Sequence, residues 1–232
     1  MPTVRQDGTL TDLRGAVWRI AVGGTLDPRA VGFTGTGDNT AALTAAFGAV
    51  GIGGKIALDK AYNFELNNLY SQIPAEIDFA NSTVTSNTGQ EGIRIDGAFT
   101  SVVDVNSVSG KTLNVASTTG FVIGDVVKVT SSDEQADVWV LTRFIGQFAI
   151  ILDIVGNVVT LDRNIIDDNL YQTDIKMYKL EKRTAVVKNL TIGPSLALAN
   201  HTALVSFESL YEPRMENVNT VNSRNSNMRI RS

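Results

Sequence analysis

The sequence predicts an all-β fold of many short strands joined by turns, with one short α-helix near its N-terminal end. Aromatic residues make up only 7% of the chain, whereas Gly, Asn, Ser, Thr and Val are plentiful, a composition that favours short strands and turns. From Lys55 to Asp96, apolar stretches are interrupted every few residues by Asn, Ser, Gly or Pro. Hairpin turn signals follow at Ser109-Gly110 and Gly156-Asn157. With 232 residues, the chain is long enough for one large domain or two small ones.

The first 26 residues are predicted to form an arm. Trp18, Ile20 and Val22 alternate with the residues between them in the manner of a short strand. Because an arm of this size cannot bury a tryptophan alone, we expect Trp18 to pack on the residues that follow or on a partner.

A helix is predicted over residues 40–50. Asp38 or Asn39 is placed to cap it by accepting a hydrogen bond from a free backbone N–H of the first turn. The apolar side chains that share one face at helical spacing are Leu43, Phe47 and Val50.

Two stretches near the C-terminal end repeat at an interval typical of stacked repeats. Asn189–Ile192 has an echo 28 positions on in Asn217–Thr220, and Ala203–Phe207 has one in Asn227–Ile230. Residues 101–178 differ and have the pattern of a hairpin-rich insert.

The order of features from Asp27 to Tyr62 carries a resemblance to a known family. A glycine turn at Gly35–Gly37 is followed by the capped helix, the pair Gly53-Gly54, a short strand and Tyr62. This order resembles the entry module of phage tailspikes of the pectate-lyase-like superfamily. The resemblance implies the start of a right-handed parallel β-helix with a short N-terminal capping α-helix and an inserted small antiparallel β-domain.

The resemblance also implies a division of the chain into four parts. These are an N-terminal arm at 1–26, the β-helix entry module at 27–100, the inserted hairpin-rich β-domain at 101–180, and the first returning coils at 181–232. A terminal solenoid coil needs a cap, and none is predicted after Ile230. We therefore expect the chain to be the front piece of a longer protein.

For function, the resemblance implies the N-terminal part of a phage tailspike, a homotrimer that supports recognition of a bacterial surface polysaccharide. Such a protein is made in the bacterial cytoplasm and becomes part of the virion tail. The arm then docks to the phage tail, the baseplate or another tailspike, with Trp18, Ile20 and Val22 as candidate docking residues. Two alternatives remain open: the front segment of a capsule or O-antigen depolymerase, or a complete structural adapter that docks another tail component.

Composition excludes several other classes of function. A net charge of −4 does not attract a polyanion over a wide surface, so nucleic-acid binding is not expected. The chain has no cysteine and a single histidine, His201, which excludes disulfides and metal sites built from thiolates or histidine clusters. The charged N-terminus does not resemble a secretory signal. No stretch approaches the roughly 20 apolar residues of a membrane span, so a soluble protein without membrane insertion is predicted.

Two glycine-rich stretches depart from nucleotide-binding motifs. The stretch that begins at Gly35 has Thr40 where a dinucleotide fingerprint has its third glycine. The pair Gly53-Gly54 is followed by Ile56 where a phosphate loop needs Ser or Thr to reach magnesium. Both are interpreted as turns, and no cofactor is expected.

Other polar candidates favour structural roles. Glu208, Glu212 and Glu216 are spaced as on one face of a helix, but Pro213 and strand-like surroundings favour the solvated edge of a coil. No catalytic or metal-binding residue is therefore assigned: Asp167–Asn169 is interpreted as a polar turn rather than a calcium site, and His201 as a surface residue. Aromatic side chains that are candidates for stacking on sugar rings, but more typical of core or interface positions, are Trp18, Trp139, Tyr62, Tyr70 and Tyr171.

Overall fold

The computed structural model describes residues 3–4, 9–11, 17–19, 24–87, 91–137, 140–165, 171–195, 203–222 and 228–231. The described chain is mainly β with one α-helix, so the all-β prediction is confirmed at this level. The chain divides into two compact units. We call residues 1–97 and 182–231 the parallel-sheet unit, and residues 98–181 the barrel unit.

The regular elements are listed in chain order. They are β1 (Thr3–Val4), β2 (Thr9–Thr11), β3 (Val17–Arg19), β4 (Thr25–Leu26), a 3-10 turn (Pro28–Val31), α1 (Thr40–Val50), β5 (Lys55–Ala57), β6 (Asn63–Leu66), β7 (Leu69–Ser71), β8 (Glu76–Ser86), β9 (Ile93–Asp96), β10 (Phe99–Ser109), β11 (Thr112–Val115), β12 (Val126–Asp137), β13 (Val140–Val155), β14 (Val158–Leu161), β15 (Lys176–Leu180), β16 (Val186–Pro194), β17 (Val205–Glu208), β18 (Arg214–Thr220) and β19 (Met228–Arg231).

The parallel-sheet unit contains two sheets whose strand pairs are all parallel. One has the order β18-β16-β8-β5-β4, with β6 also paired to β8, and the other has the order β19-β17-β9-β7. The chain passes from the first sheet to the second in β6-β7, β8-β9, β16-β17 and β18-β19. We call one such pass a coil.

Successive coils lie in register. The echo at 28 positions is confirmed as strand pairing, because Leu190 of β16 lies opposite Val218 of β18. The shorter echo is confirmed in the second sheet, where Phe207 of β17 lies opposite Ile230 of β19.

Register places apolar side chains in rows inside the parallel-sheet unit. Ile77 of β8 lies between Ile56 and Val187 on its neighbouring strands, and all three are buried. In the second sheet, Ile95 lies opposite Phe207, and both are fully buried. Each such side chain contributes about 1.5–3 kcal/mol by burial, so the rows stabilise each coil against its neighbours.

A left-handed bend divides β8 into two halves. Ile77–Phe79 and Thr83-Val84 are two of the interrupted apolar stretches between Lys55 and Asp96, but they belong to one strand. Ala80 and Asn81 have positive φ angles of 51° and 63°, and the pairing register with β16 shifts at this point. A pattern of apolar residues does not reveal that a strand continues through a bend.

Helix α1 occupies the predicted residues and packs on the core of the parallel-sheet unit. Leu43 and Phe47 are buried together with the small residues Ala42, Ala46 and Ala49. Gly51 follows with a positive φ of 67°, and its N–H donates to the carbonyl of Phe47, which ends the helix. No helix in the described part of the chain is long and apolar enough to cross a membrane.

The barrel unit is a closed antiparallel barrel with the strand order β10-β11-β14-β13-β12-β15. Both predicted hairpin turns are present, since Ser109 pairs with Thr112 and Val155 with Val158. Strand β15 closes the barrel by pairing with both β10 and β12. Its interior holds a separate apolar core.

Candidate functional site

The arm contains a three-stranded antiparallel sheet, β1-β2-β3. Trp18 lies in the middle of β3, with its backbone opposite Leu10. Ile20 and Val22, the other two candidate docking residues, lie outside the described residues. The arm thus forms a small sheet, and Trp18 is the central residue of its edge strand β3.

Asp38 ties the start of α1 to a neighbouring coil. Its carboxylate accepts hydrogen bonds from the Thr40 N–H at 3.0 Å, the Thr40 hydroxyl at 2.6 Å and the Asn67 side-chain amide at 2.8 Å. Partial burial opposes ionisation, but these hydrogen bonds outweigh it and hold the pKa of Asp38 below its usual value. The carboxylate therefore caps the helix and also holds the residues after β6 against it.

Asn39 occupies the N-cap position but points its side chain elsewhere. Its carbonyl oxygen accepts from the Thr34 N–H at 2.8 Å, and its amide donates to the carbonyls of Thr36 and Gly37, both at 3.1 Å. Asn39 is buried and closes the glycine turn. Of the two predicted capping residues, Asp38 makes the hydrogen bond to the first turn.

The three glutamates with helical spacing lie on three different elements. Glu208 is in β17, Glu212 is in a turn with a φ of 51°, and Glu216 is in β18. Each has a cationic neighbour: Arg94 for Glu208 at 2.7 Å, Arg214 for Glu212 at 3.9 Å, and Lys188 for Glu216 at 3.3 Å. They do not form a helical carboxylate face.

The sheet β7-β9-β17-β19 instead carries a cluster around Arg94. The guanidinium binds Asp96 through two nitrogens, both at 2.9 Å, and Glu208 through Nη2 at 2.7 Å. It also lies 5.5 Å from the centroid of the Tyr70 ring, within the range of a cation–π contact. The hydrogen bond to Asp96 raises the pKa of Arg94, while desolvation and the charge of Asp96 raise the pKa of Tyr70.

This cluster links two coils and is not arranged as an acid–base pair. Glycoside hydrolysis needs one protonated carboxyl facing the scissile bond, commonly kept protonated by an apolar pocket. Here both carboxylates accept N–H bonds from a single guanidinium. Because Arg94 and Glu208 are on neighbouring coils, the network stabilises the stacking of the coils.

The aromatic residues singled out from the sequence have different environments. Tyr62 packs edge-on against Phe33, with ring centroids 5.3 Å apart, and its hydroxyl donates to Asp59 at 2.7 Å. Tyr171 is buried in the barrel core. Tyr70 is 41% exposed. Trp139 and the side chain of Trp18 lie outside the described parts.

Three aromatic residues on the barrel were not predicted from the sequence. Phe99, Phe148 and Tyr178 form a group in which the Phe99 centroid is 6.5 Å from that of Phe148 and 5.5 Å from that of Tyr178. Tyr178 lies on the outer face of β15, because its neighbour Met177 is buried inside the barrel. The alternation of buried and partly exposed residues in β15 could have placed Tyr178 on the outer face from the sequence. The contact of the three rings depends on closure of the barrel and could not have been predicted in this way.

No metal site is apparent in the described residues, which contain no group of three or more His, Asp or Glu side chains placed to hold an ion. Asp167–Asn169 and His201 lie outside the described ranges.

Comparisons with known proteins identify a related fold. No family model and no curated protein matches the sequence. Among solved structures, the tailspike protein gp49 of Pseudomonas phage LKA1 matches over 78% of this chain and 31% of its own, with a TM-score of 0.56 and 17% identity. The gp54 tailspike of Acinetobacter baumannii bacteriophage AP22, solved with A. baumannii capsular saccharide, matches over 88% of this chain and 36% of its own, with a TM-score of 0.55 and 14% identity.

The predicted resemblance to phage tailspikes is therefore confirmed at the level of the fold. The chain spans about a third of the length of these two tailspikes.

Proposed function

We propose that this chain is the N-terminal part of a phage tailspike, which attaches the spike to the virion and supports recognition of a bacterial surface polysaccharide. The observation that carries the proposal is the stack of coils in register, joined in sequence to a closed barrel. Tailspikes of two phages share this fold over most of the present chain.

We further propose that the coils form the start of a right-handed parallel β-helix. The passage from β16 through β17 to β18 connects two parallel strands of one sheet. Such crossovers are right-handed in about 98% of cases. Helix α1 precedes β5 in the chain and packs on the same core as β5, which supports a role as the cap of the first coil.

The polysaccharide and the assembly state are parts of the same proposal. The AP22 tailspike was solved with capsular saccharide, which supports a bacterial polysaccharide as the target of the complete spike. A homotrimer is proposed for the intact protein. Sedimentation of the protein released from particles should give about three times its denatured mass; a value equal to the denatured mass would contradict the trimer.

Immunogold electron microscopy tests the proposed location. Antibodies raised against the 232-residue chain should label the tails of particles of the phage that encodes it, and preabsorption with the purified chain should remove the label. Particles without label, or with label on the head alone, would contradict the proposal.

A further inference from the structure

The outer face of the barrel unit carries two neighbouring rows of side chains across the strands β10, β15, β12 and β13. The first row, in register across the four strands, is Val102, Tyr178, Lys128 and Phe148. The second is Asp104, Lys176, Thr130 and Gly146. Aromatic and apolar groups thus lie beside charged and hydroxyl groups on a surface that faces solvent.

The two rows border an open groove of about 470 Å³. Its lining includes Phe99, Tyr178, Lys128, Thr130 and Lys176. The volume falls within the range of small-molecule sites, which combine apolar walls with a few placed polar groups. Phe99 is 37% exposed, so the apolar side of the groove is accessible.

The aromatic rings form a wall with a fixed shape. Phe99 is nearly parallel to Phe148 at an interplanar angle of 25° and is tilted by 57° against Tyr178. Each ring is held by its neighbours, so little rotamer freedom is lost when a ligand stacks on the wall.

Lys128 is a hydrogen-bond donor on this wall. Its ammonium lies 5.4 Å from the centroid of the Phe148 ring, and Lys128 forms no ion pair among the residues that the structure describes. Gly146 leaves room for it, since a Cβ at that position would lie 3.0 Å from the Lys128 Cε. The ammonium is therefore positioned by packing rather than by a carboxylate, and its three N–H groups remain available.

The other charges along the groove are balanced. Lys176 pairs with Asp174 at 3.3 Å and lies opposite Asp104 on β10, and the hydrogen bond to Asp174 raises the pKa of Lys176. The barrel unit as a whole contains more carboxylates than cations. This surface therefore does not attract a polyanion over a long range. It offers aromatic rings on which a ligand can stack, with hydrogen-bond donors and acceptors beside them.

We propose that this groove binds a short segment of a bacterial polysaccharide, with the face of a pyranose ring stacked on Phe99 and Tyr178 and with sugar oxygens accepting hydrogen bonds from Lys128. A saccharide is amphipathic in the same way as the groove, because a ring face of C–H groups is bordered by hydroxyls. The inference rests on the proposed function for its choice of polysaccharide source. It adds a glycan site in the barrel unit.

The test is binding of the purified 232-residue chain to an array of bacterial capsular and O-antigen oligosaccharides. We expect at least one oligosaccharide to be retained. Phe99→Ala and Lys128→Met should each weaken its binding about tenfold, the factor that corresponds to loss of about 1.4 kcal/mol. Thermal unfolding of each variant establishes that it folds; if Phe99→Ala does not fold, Lys128→Met, which retains the apolar stem, carries the test.

Matched controls lie outside the groove. Tyr70→Ala removes an aromatic ring whose exposure, 41%, is similar to that of Phe99, and Lys111→Met removes an exposed ammonium in the β10–β11 turn. Both should leave binding unchanged. Equal effects of groove and control variants would overturn the proposal, and so would failure of the wild-type chain to retain any oligosaccharide.

The outcomes separate this inference from the proposed function. Labelled phage tails together with an unreactive array would overturn the glycan site alone. Glycan binding through the groove together with unlabelled particles would overturn the virion role alone. Loss of incorporation into particles in Phe99→Ala, with no change in glycan binding, would assign the groove to a protein partner and overturn the glycan site.

Discussion

Asn189 and Asn217 hold the left-handed bends of successive coils by hydrogen bonds between the coils. They have φ angles of 54° and 52°. The Asn217 amide donates to the side-chain oxygens of Asn189 at 2.9 Å and Asn81 at 3.1 Å, and the Asn189 amide donates to Asp78 at 2.9 Å. Asparagine is suited to this position because it tolerates the left-handed region and its amide donates and accepts at once.

Substitution of Asn189 separates these two roles. Asn189→Gly removes the hydrogen bonds but keeps the backbone conformation accessible, so we expect a loss of about 1–2 kcal/mol in the free energy of unfolding. Asn189→Ala adds the strain of a left-handed Cβ residue, about 1 kcal/mol more. Urea unfolding measures both. Glycine and alanine variants as stable as the wild type would show that the bend does not depend on the asparagine side chain.

Gly35 and Gly37 are the first and last residues of the glycine turn, and their surroundings differ. Both have positive φ, 78° and 64°, but a Cβ at Gly35 would overlap the Tyr62 ring, whereas a Cβ at Gly37 meets nothing within 4 Å. Gly37→Ala should therefore cost only the backbone strain, about 1 kcal/mol. Gly35→Ala should cost about 1–3 kcal/mol more through overpacking, measured by urea unfolding. Equal losses in the two variants would contradict the close contact with Tyr62.

At the scale of elements, α1 is a structural support of the parallel-sheet unit. Phe47→Ala should lower the free energy of unfolding of this unit by about 3–5 kcal/mol, because it empties a fully buried position. Thr44→Ala on the exposed face of the same helix is the control and should change it by less than about 0.5 kcal/mol. Hydrogen exchange resolved by residue reports the two units separately. A loss of protection in the barrel core as large as that around α1 would contradict the separate cores.

Elements that depend on local signals were predictable from the sequence, and elements that depend on distant pairing were not. The helix at 40–50 follows from its apolar spacing, and the hairpins follow from Gly110 and Gly156, each of which has a positive φ. Closure of the barrel depends on β15, which pairs with β10 and β12 far away in the chain. No local pattern specifies those pairings. The groove on its outer face was missed for the same reason.

The same limit applies to the carboxylates. Glu208 forms a hydrogen bond with Arg94, which lies on a coil more than a hundred positions earlier in the chain. The spacing of Glu208, Glu212 and Glu216 gives no indication of this contact. The barrel unit lies between those two strands in the sequence. Because the insert separates the earlier coils from the later ones, a search for sequence repeats at a fixed interval does not detect the earlier coils. It detects only the later repeat of 28 positions.

At the scale of the whole molecule, the two units have separate apolar cores. The coils of the parallel-sheet unit pair in parallel, whereas the strands of the barrel unit pair antiparallel. The chain leaves the parallel-sheet unit after Gly97 and returns at Lys182. The ends of the barrel unit meet, because the Glu181 N–H donates to the Ala98 carbonyl at 2.8 Å. Such adjacency of the ends is what allows one domain to be inserted into another.

We propose that the protein is carried on a virion and is attached through its N-terminal arm, and deletion of the arm tests this proposal. Phage particles are prepared with the intact protein and with a variant that lacks residues 1–23, which leaves β4 and the buried Leu26 in place. The protein in purified particles is quantified by immunoblot. The variant should be absent from particles, while its thermal unfolding in isolation should match that of the intact protein. Particles that carry the shortened protein at the level of the intact one would contradict attachment through the arm.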